Sequence, residues 1–288
     1  MKKFIWAFAA IILFLPLSLE AQEASCLTRY EDEVITGVAA SSVFRVELVK
    51  SDQTKAVVKI DPELEPYLRF TRNDDGVVTV GMRNTREMNN RERRRFNRLM
   101  GAQVNRTMEL TLYLPGINTI RLSDVSRLTT ADTFTGDHIV INLTGSSSLS
   151  GLNISGSGLR VDAGGASKVL MTSCITGDLT AYIYGSAEVG LDAYGVVDSS
   201  LTASGAARLQ IKGDGVRGNW VTRGSARIMG EEFTLRELTA NASGASSIRA
   251  NVSESLSTHT TGSASVRYHG QPSRIHSASG ASSVRPLE

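Results

Sequence analysis

Between residues 139 and 284, apolar and polar side chains alternate in short runs, and each run closes on the same phrase. Ile139, Ile141 and Leu143, then Leu159, Val161 and Ala163, then Leu179, Ala181 and Ile183, and later Leu238, Ala240 and Ala242, sit two residues apart. A period of two marks a half-buried β-strand. Each run is followed by Gly, two small residues, a variable residue and an aliphatic one, as in Gly165-Ala-Ser-Lys-Val169 and Gly224-Ser-Ala-Arg-Ile228. The phrase begins at Gly145, Gly165, Gly185, Gly205, Gly224, Gly244, Gly262 and Gly280, in steps of 20, 20, 20, 19, 20, 18 and 18 residues. Asp124-Val-Ser-Arg-Leu128 is a weaker copy one step earlier.

Each column of the repeat has a physical reason. Glycine supplies a positive φ that turns the chain sharply. Alanine and serine follow because rungs stacked at about 4.8 Å leave no room for bulk at a tight corner. The aliphatic residue points inward and opens the next strand. The third position runs through Ser, Lys, Glu and Arg, as a solvent-facing site does; Lys168, Glu188, Arg208 and Arg227 form one outward stripe there. A strand, a corner, a second strand and a return every 20 residues predict an all-β solenoid over residues 119–288. Leucine-rich repeats, propeller blades and toxin-type calcium repeats need a consensus or period that is not found here.

Residues 22–118 read differently. Val43–Val49, Ala56–Ile60, Leu68–Phe70, Gly76–Val80 and Met108–Leu114 are predicted strands, separated by turns such as Asp61-Pro62 and Asn73-Asp74-Asp75-Gly76. They are expected to form the first coils or a sheet that caps the solenoid's apolar end. Ahead of them, Lys2 and Lys3 precede an apolar run from Phe4 to Leu17, and Ala21 offers a small residue for cleavage. That order is a secretory signal over residues 1–21. It predicts an exported chain in the periplasm, on the outer-membrane surface or outside the cell, with no membrane span once the signal is removed.

Composition narrows the classes. The 288 residues carry 31 basic and 29 acidic side chains, a net charge of +2 that argues against a nucleic-acid partner. Two cysteines cannot build a disulfide-dense scaffold or a zinc cluster. Cys26 and Cys174 pair only if the fold brings them together.

The signal sequence, the strand-rich head with Val43–Val49 and Gly76–Val80, the Leu112-x-Leu114-Pro115 element and the recurring Ser-Gly-Ala-Ser-x-Val copies together carry a resemblance. Over roughly residues 34–286 the chain resembles the Bacteroidetes family of unknown function labelled "putative auto-transporter adhesin, head GIN domain". The resemblance implies a right-handed β-helix in an exported, adhesin-like protein, and it brings no catalytic residues. The Arg-rich insert at 83–98 departs from the family pattern.

That insert holds seven arginines against Glu87 and Glu92, a net +5. Arg91, Arg94, Arg95 and Arg98 share one helical face, and Glu87 is placed to pair with Arg91. The face suits an anionic glycan or a lipid headgroup, because guanidinium groups grip planar anions with two hydrogen bonds. The plainer alternative is a solvated loop or short helix between two strands. Other chemistry is sparse. Asp162, Asp178, Glu188, Asp192, Asp198 and Asp214 read as scattered among columns, so no carboxylate pair for sugar cleavage is expected. Among His138, His259, His269 and His276, only His259 and His276 lie about one rung apart, and no metal site follows. Ser146, Ser167, Ser186, Ser225, Ser246, Ser263 and Ser282 recur as a ladder and not as nucleophiles. The expectation is a non-enzymatic, cofactor-free binding or cell-envelope protein with a glycan or cell-surface protein as partner. Pairing of two chains through the solenoid edge is a further expectation. A polysaccharide lyase or hydrolase on a β-helix is the alternative.

Overall fold

A computed structural model describes residues 24–101 and 106–287; the segment 1–21, expected from sequence to be a secretory signal, lies outside the described residues. The chain forms a β-solenoid. Ser148–Ala163, Lys168–Ile183, Glu188–Ala203, Arg208–Thr222, Arg227–Gly244 and Ser247–Gly262 pair in parallel, each with the next. The register advances by about one repeat per coil: Leu149 faces Val169, Val169 faces Val189, and Val189 faces Leu209. Each of these strands bends around the core, with register shifts where it turns, as between Ala193 and Val196.

The alternating residues named above fill the interior. Ile141, Leu143, Val161, Leu179 and Ala240 are buried, as is every aliphatic fourth residue from Leu149 to Val266. Sequence periodicity did not mark the second half of each coil, where Ile175, Val196, Ile211 and Leu235 also point inward. Trp220 is the largest fully buried side chain among the described residues; it donates from Nε1 to Ser199 Oγ at 3.1 Å. It fits because Gly230 leaves room: a Cβ there would lie 2.4 Å from the indole ring.

The glycine corners share one geometry. All eight repeat glycines have φ between +71° and +80°. From Gly165 to Gly262, the amide that follows each donates to the carbonyl of the glycine one rung below, as from Ser186 to Gly165 at 2.7 Å and from Ala206 to Gly185 at 2.8 Å; after Gly145 the Ser146 amide donates to the Asp124 carbonyl instead. The copy at Asp124 holds the same left-handed turn with φ +59°.

Before residue 118 the chain departs from simple succession. Gly37–Ala40 and Arg45–Lys50 form a true rung, parallel on one side to Thr119–Leu122 and Arg127–Thr129. On its other side lie Val77–Met82 and Met108–Leu114, also parallel. The end is then closed by antiparallel strands: Leu68–Arg72 on Val77–Met82, Lys55–Ile60 on Met108–Leu114, and Ser25–Arg29 on Lys55–Ile60. The rung of Val77–Met82 and Met108–Leu114 lacks the tight corner. After Met82 the chain instead leaves the rung on a detour that contains the helix Asn90–Gly101 (α1).

The two ends differ. At the far end Ser273–Ala278 and Ser283–Pro286 each pair on one side only, with Ser255–Thr260 and Ser265–Tyr268. Ser273–Ala278 is exposed along its whole length, and Ile275 is 78% exposed. Pro286 sits in the last strand, opposite Tyr268, without covering Ile275.

Candidate functional site

The solenoid offers surfaces built as columns, one residue per rung. Two small residues follow each glycine, and the structure separates them. The first, including Ser146, Ser186, Ser225 and Ser263, is exposed. The second, at Ser147, Ser167, Ala187, Ala207, Ala226, Ser246 and Ala264, is buried. The serines read from sequence as one ladder therefore belong to two columns. Those in the buried column bond to backbone or to a neighbouring threonine where they can: Ser147 Oγ donates to the Thr144 carbonyl at 2.9 Å, and Ser246 Oγ lies 2.8 Å from Thr222 Oγ1.

The third-position stripe is in register and outward. Glu188 stands between two cations, 3.1 Å from Arg208 and 4.0 Å from Lys168. All three side chains are about half exposed, so these pairs set surface charge more than stability.

The carboxylates are not as scattered as the sequence suggested. Asp178, Asp198, Arg217 and Glu237 occupy one column on consecutive coils. The 20-, 19- and 20-residue steps that define the corners would have found it. Arg217 grips Asp198 with two hydrogen bonds, Nε to Oδ1 and Nη2 to Oδ2, both 2.7 Å. That grip holds the Asp198 carboxyl below its ordinary range. Asp192 belongs to another column, facing Lys212, which binds Glu232 at 2.9 Å. Asp162 is taken by Arg160 at 2.9 Å.

A second outward column lies five residues after each glycine: Ser150, Leu170, Gly190, Gln210, Met229, Arg249, Arg267 and Arg285. Its last three members are arginines in direct register. Sequence reading passed over it, although it obeys the same arithmetic as the corners.

In the detour, the Arg-rich stretch folds as a helix with a capped start. Asn89 Oδ1 accepts from the amides of Arg91 and Glu92, and Glu92 Oε2 accepts from the Asn89 amide, all at 2.9–3.0 Å. This reciprocal cap is an Asn-x-x-Glu capping box. Phe96 and Leu99, three apart, are the buried anchors; Phe96 packs on Tyr67 with ring centroids 5.2 Å apart. Arg91, Arg94, Arg95 and Arg98 all point to solvent. Glu87 lies in a short 3-10 turn before the helix, and among the described residues no ion pair joins it to Arg91. The cap has taken over the role of ordering the first turn.

His259 faces Ser277, while His276 faces Thr258 one position away, so the two histidines stand on opposite sides of their strands. Among the described residues no group of three or more His, Cys, Asp or Glu side chains converges as a metal site. Cys26 and Cys174 are both free thiols, exposed on different parts of the surface. No helix among the described residues is long and apolar enough to cross a membrane.

The architecture recurs in solved structures. A protein described as a "putative adhesin" from Parabacteroides distasonis ATCC 8503 superposes with a TM-score of 0.63 at 15% identity, over 92% of this chain and 98% of that one. A "putative adhesin" from Parabacteroides merdae ATCC 43184 gives 0.57 at 15% identity, over 93% and 98%. A "putative lipid binding protein" from Parabacteroides distasonis ATCC 8503 gives 0.63 at 14% identity, over 93% and 98%. At this identity the likeness is one of fold. No curated protein matches the chain. The profile of one family matches residues 35–211 and again 174–272, overlapping across the repeat. Matched from residue 35 to residue 272, the chain belongs to the family described as "Putative auto-transporter adhesin, head GIN domain".

Proposed function

We propose that this chain is an exported, non-enzymatic, adhesin-like protein that presents its solenoid faces to a glycan or a protein on a cell surface. The carrying observation is the columnar surface: the rungs set hydroxyls and charges in register along flat strands, which suits an extended partner better than a small substrate. Membership of an adhesin-labelled family and the amino-terminal export signal support the same reading. In this reading residues 22–118 serve as the closing head, and residues 119–288 as the display surface. The exposed arginines of α1, Arg91, Arg94, Arg95 and Arg98, form a cationic patch on that head. The one-sided strand Ser273–Ala278 offers an edge for a second copy of the chain.

The test is a glycan and mucin array probed with the purified mature chain, beside product analysis of the same glycans and fractionation of cells that express it. Saturable binding without products, from protein found in the envelope or the medium, is the expected result. Cleavage products would overturn the non-enzymatic assignment and revive the polysaccharide-active alternative. Retention in the cytoplasm would overturn export.

A further inference from the structure

From the rung that begins at Arg208 to the last rung, the third and fifth positions after each glycine hold five arginines and no carboxylate: Arg208, Arg227, Arg249, Arg267 and Arg285. Arg249, Arg267 and Arg285 stack directly, one per rung, at the strand spacing of about 4.8 Å. Like charges set opposite each other on neighbouring strands repel. Elsewhere on the solenoid, cross-rung neighbours relieve such repulsion: Glu188 between Lys168 and Arg208, Asp198 with Arg217, Glu254 with Arg236. Past Arg208, which Glu188 holds, the one carboxylate among the described residues that reaches in is Glu231, 3.3 Å from Arg249. Arg227 and Arg267 have no acidic partner among the described residues.

The third-position column switches at the same place from charged to small. Ser247 and Ser265 continue it, with their hydroxyls 3.4 Å apart. The switch leaves a trough of about 480 Å³ lined by Arg227, Met229, Ser247, Arg249, Ser265 and Arg267. Its floor is Ile228 and Ser246. No aromatic side chain lines it.

We infer that this trough is a binding site for an acidic glycan, a linear chain bearing sulfate or uronate groups and lying along the solenoid axis. Guanidinium groups grip sulfate and carboxylate with paired hydrogen bonds, and repeated arginines match a ligand whose charges repeat. The serine hydroxyls give and accept hydrogen bonds with sugar hydroxyls. Single-stranded nucleic acid is the other repeating anion, but its recognition relies on aromatic stacking surfaces, which the trough lacks. The inference deepens the adhesin-like reading by naming the ligand chemistry and the face that takes it.

The experiment is calorimetric titration of the full mature chain with heparin, polygalacturonate, neutral dextran, inorganic sulfate and a single-stranded oligodeoxynucleotide, at two salt concentrations. Heparin or polygalacturonate binds, more weakly at high salt, and dextran does not. The variant R227Q/R249Q/R267Q loses about a hundredfold in affinity, since three solvent-exposed charged contacts go together. The single reversal R267E, tested for an unchanged melting curve, loses affinity in the same direction. Retained binding in both variants would overturn the trough as the site, as would binding abolished only by changes in α1. Equal affinity for the oligodeoxynucleotide would overturn the glycan assignment, and binding of inorganic sulfate alone would reduce the site to an adventitious ion only. Failure of every polyanion would overturn this inference while leaving the array result on neutral glycans and mucins to decide the broader reading.

Discussion

Replacing Gly185 by alanine tests why glycine recurs at the corners. The residue has φ +76°, and a Cβ built on it would lie 2.8 Å from the Gly165 carbonyl oxygen and 3.1 Å from the Gly165 amide nitrogen. Two costs therefore add. Holding alanine in the left-handed region costs about 1–2 kcal/mol. The contact is with backbone, and that carbonyl already accepts the corner hydrogen bond from Ser186 at 2.7 Å, so the methyl can be relieved only by parting the rungs. Strain of this kind costs about 1–3 kcal/mol. Lower entropy of the unfolded chain returns about 0.4–1 kcal/mol. Taken at their midpoints these give a net destabilisation of about 3 kcal/mol, and at roughly 2–4 °C per kcal/mol for a chain of this size the melting temperature falls by roughly 6–12 °C. Thermal and urea unfolding followed by far-ultraviolet circular dichroism reads it. Gly185→Asn separates the two costs, because asparagine tolerates the left-handed region but keeps the Cβ. Asp124 shows what a side chain needs in order to stay at such a corner: its Oδ2 accepts from the Ser42 amide at 2.8 Å, over a turn that is itself at φ +64°. A melting temperature unchanged in Gly185→Ala would refute the reasoning. An asparagine variant as stable as wild type would assign the whole cost to φ.

Three further outcomes follow from the geometry. The Asp198 carboxyl is held low by Arg217, so its contribution is present above the ordinary carboxylate pKa and is lost as pH falls through the depressed one; melting temperature should drop on acidification below about pH 4, less steeply in Asp198→Asn, and identical profiles would dismiss the pair. Phe96→Ala removes the ring that packs on Tyr67 and costs α1 about 3 kcal/mol of its docking; amide exchange in α1 rises about a hundredfold while the coil amides stay protected, and uniform loosening would contradict a docked cap. Ellman's reagent should titrate two thiols in the native protein, at Cys26 and Cys174; none would mean a disulfide.

Much of the fold was legible because one backbone constraint recurs. Every corner needs a positive φ and a close approach, so glycine returns in step, and the apolar residues on either side keep a period of two. The second half of each coil was less legible because bulges break that period, as between Gly230 and Thr234. The order of the first rungs could not be read from periodicity at all, since it depends on pairing between distant strands. Two features were present in the sequence and passed over: the Asp178, Asp198, Arg217 and Glu237 column, and the three arginines at 18-residue steps. Both keep the corner spacing but lie off the corner itself. In α1 the run of arginines drew attention to charge, whereas Asn89, Glu92, Phe96 and Leu99 decide that the segment is a helix and which way it faces.

The position of Gly37–Ala40 and Arg45–Lys50 bears on how the chain reaches its final form. This early segment is held between strands that come later, Val77–Met82 and Met108–Leu114 on one side and Thr119–Leu122 and Arg127–Thr129 on the other. A chain emerging amino terminus first cannot complete that layer until residue 129 has appeared. From there on each new coil needs only the one before it, and assembly can proceed by simple addition. The early rung thus acts as a latch that closes late and then serves as the template for everything after it.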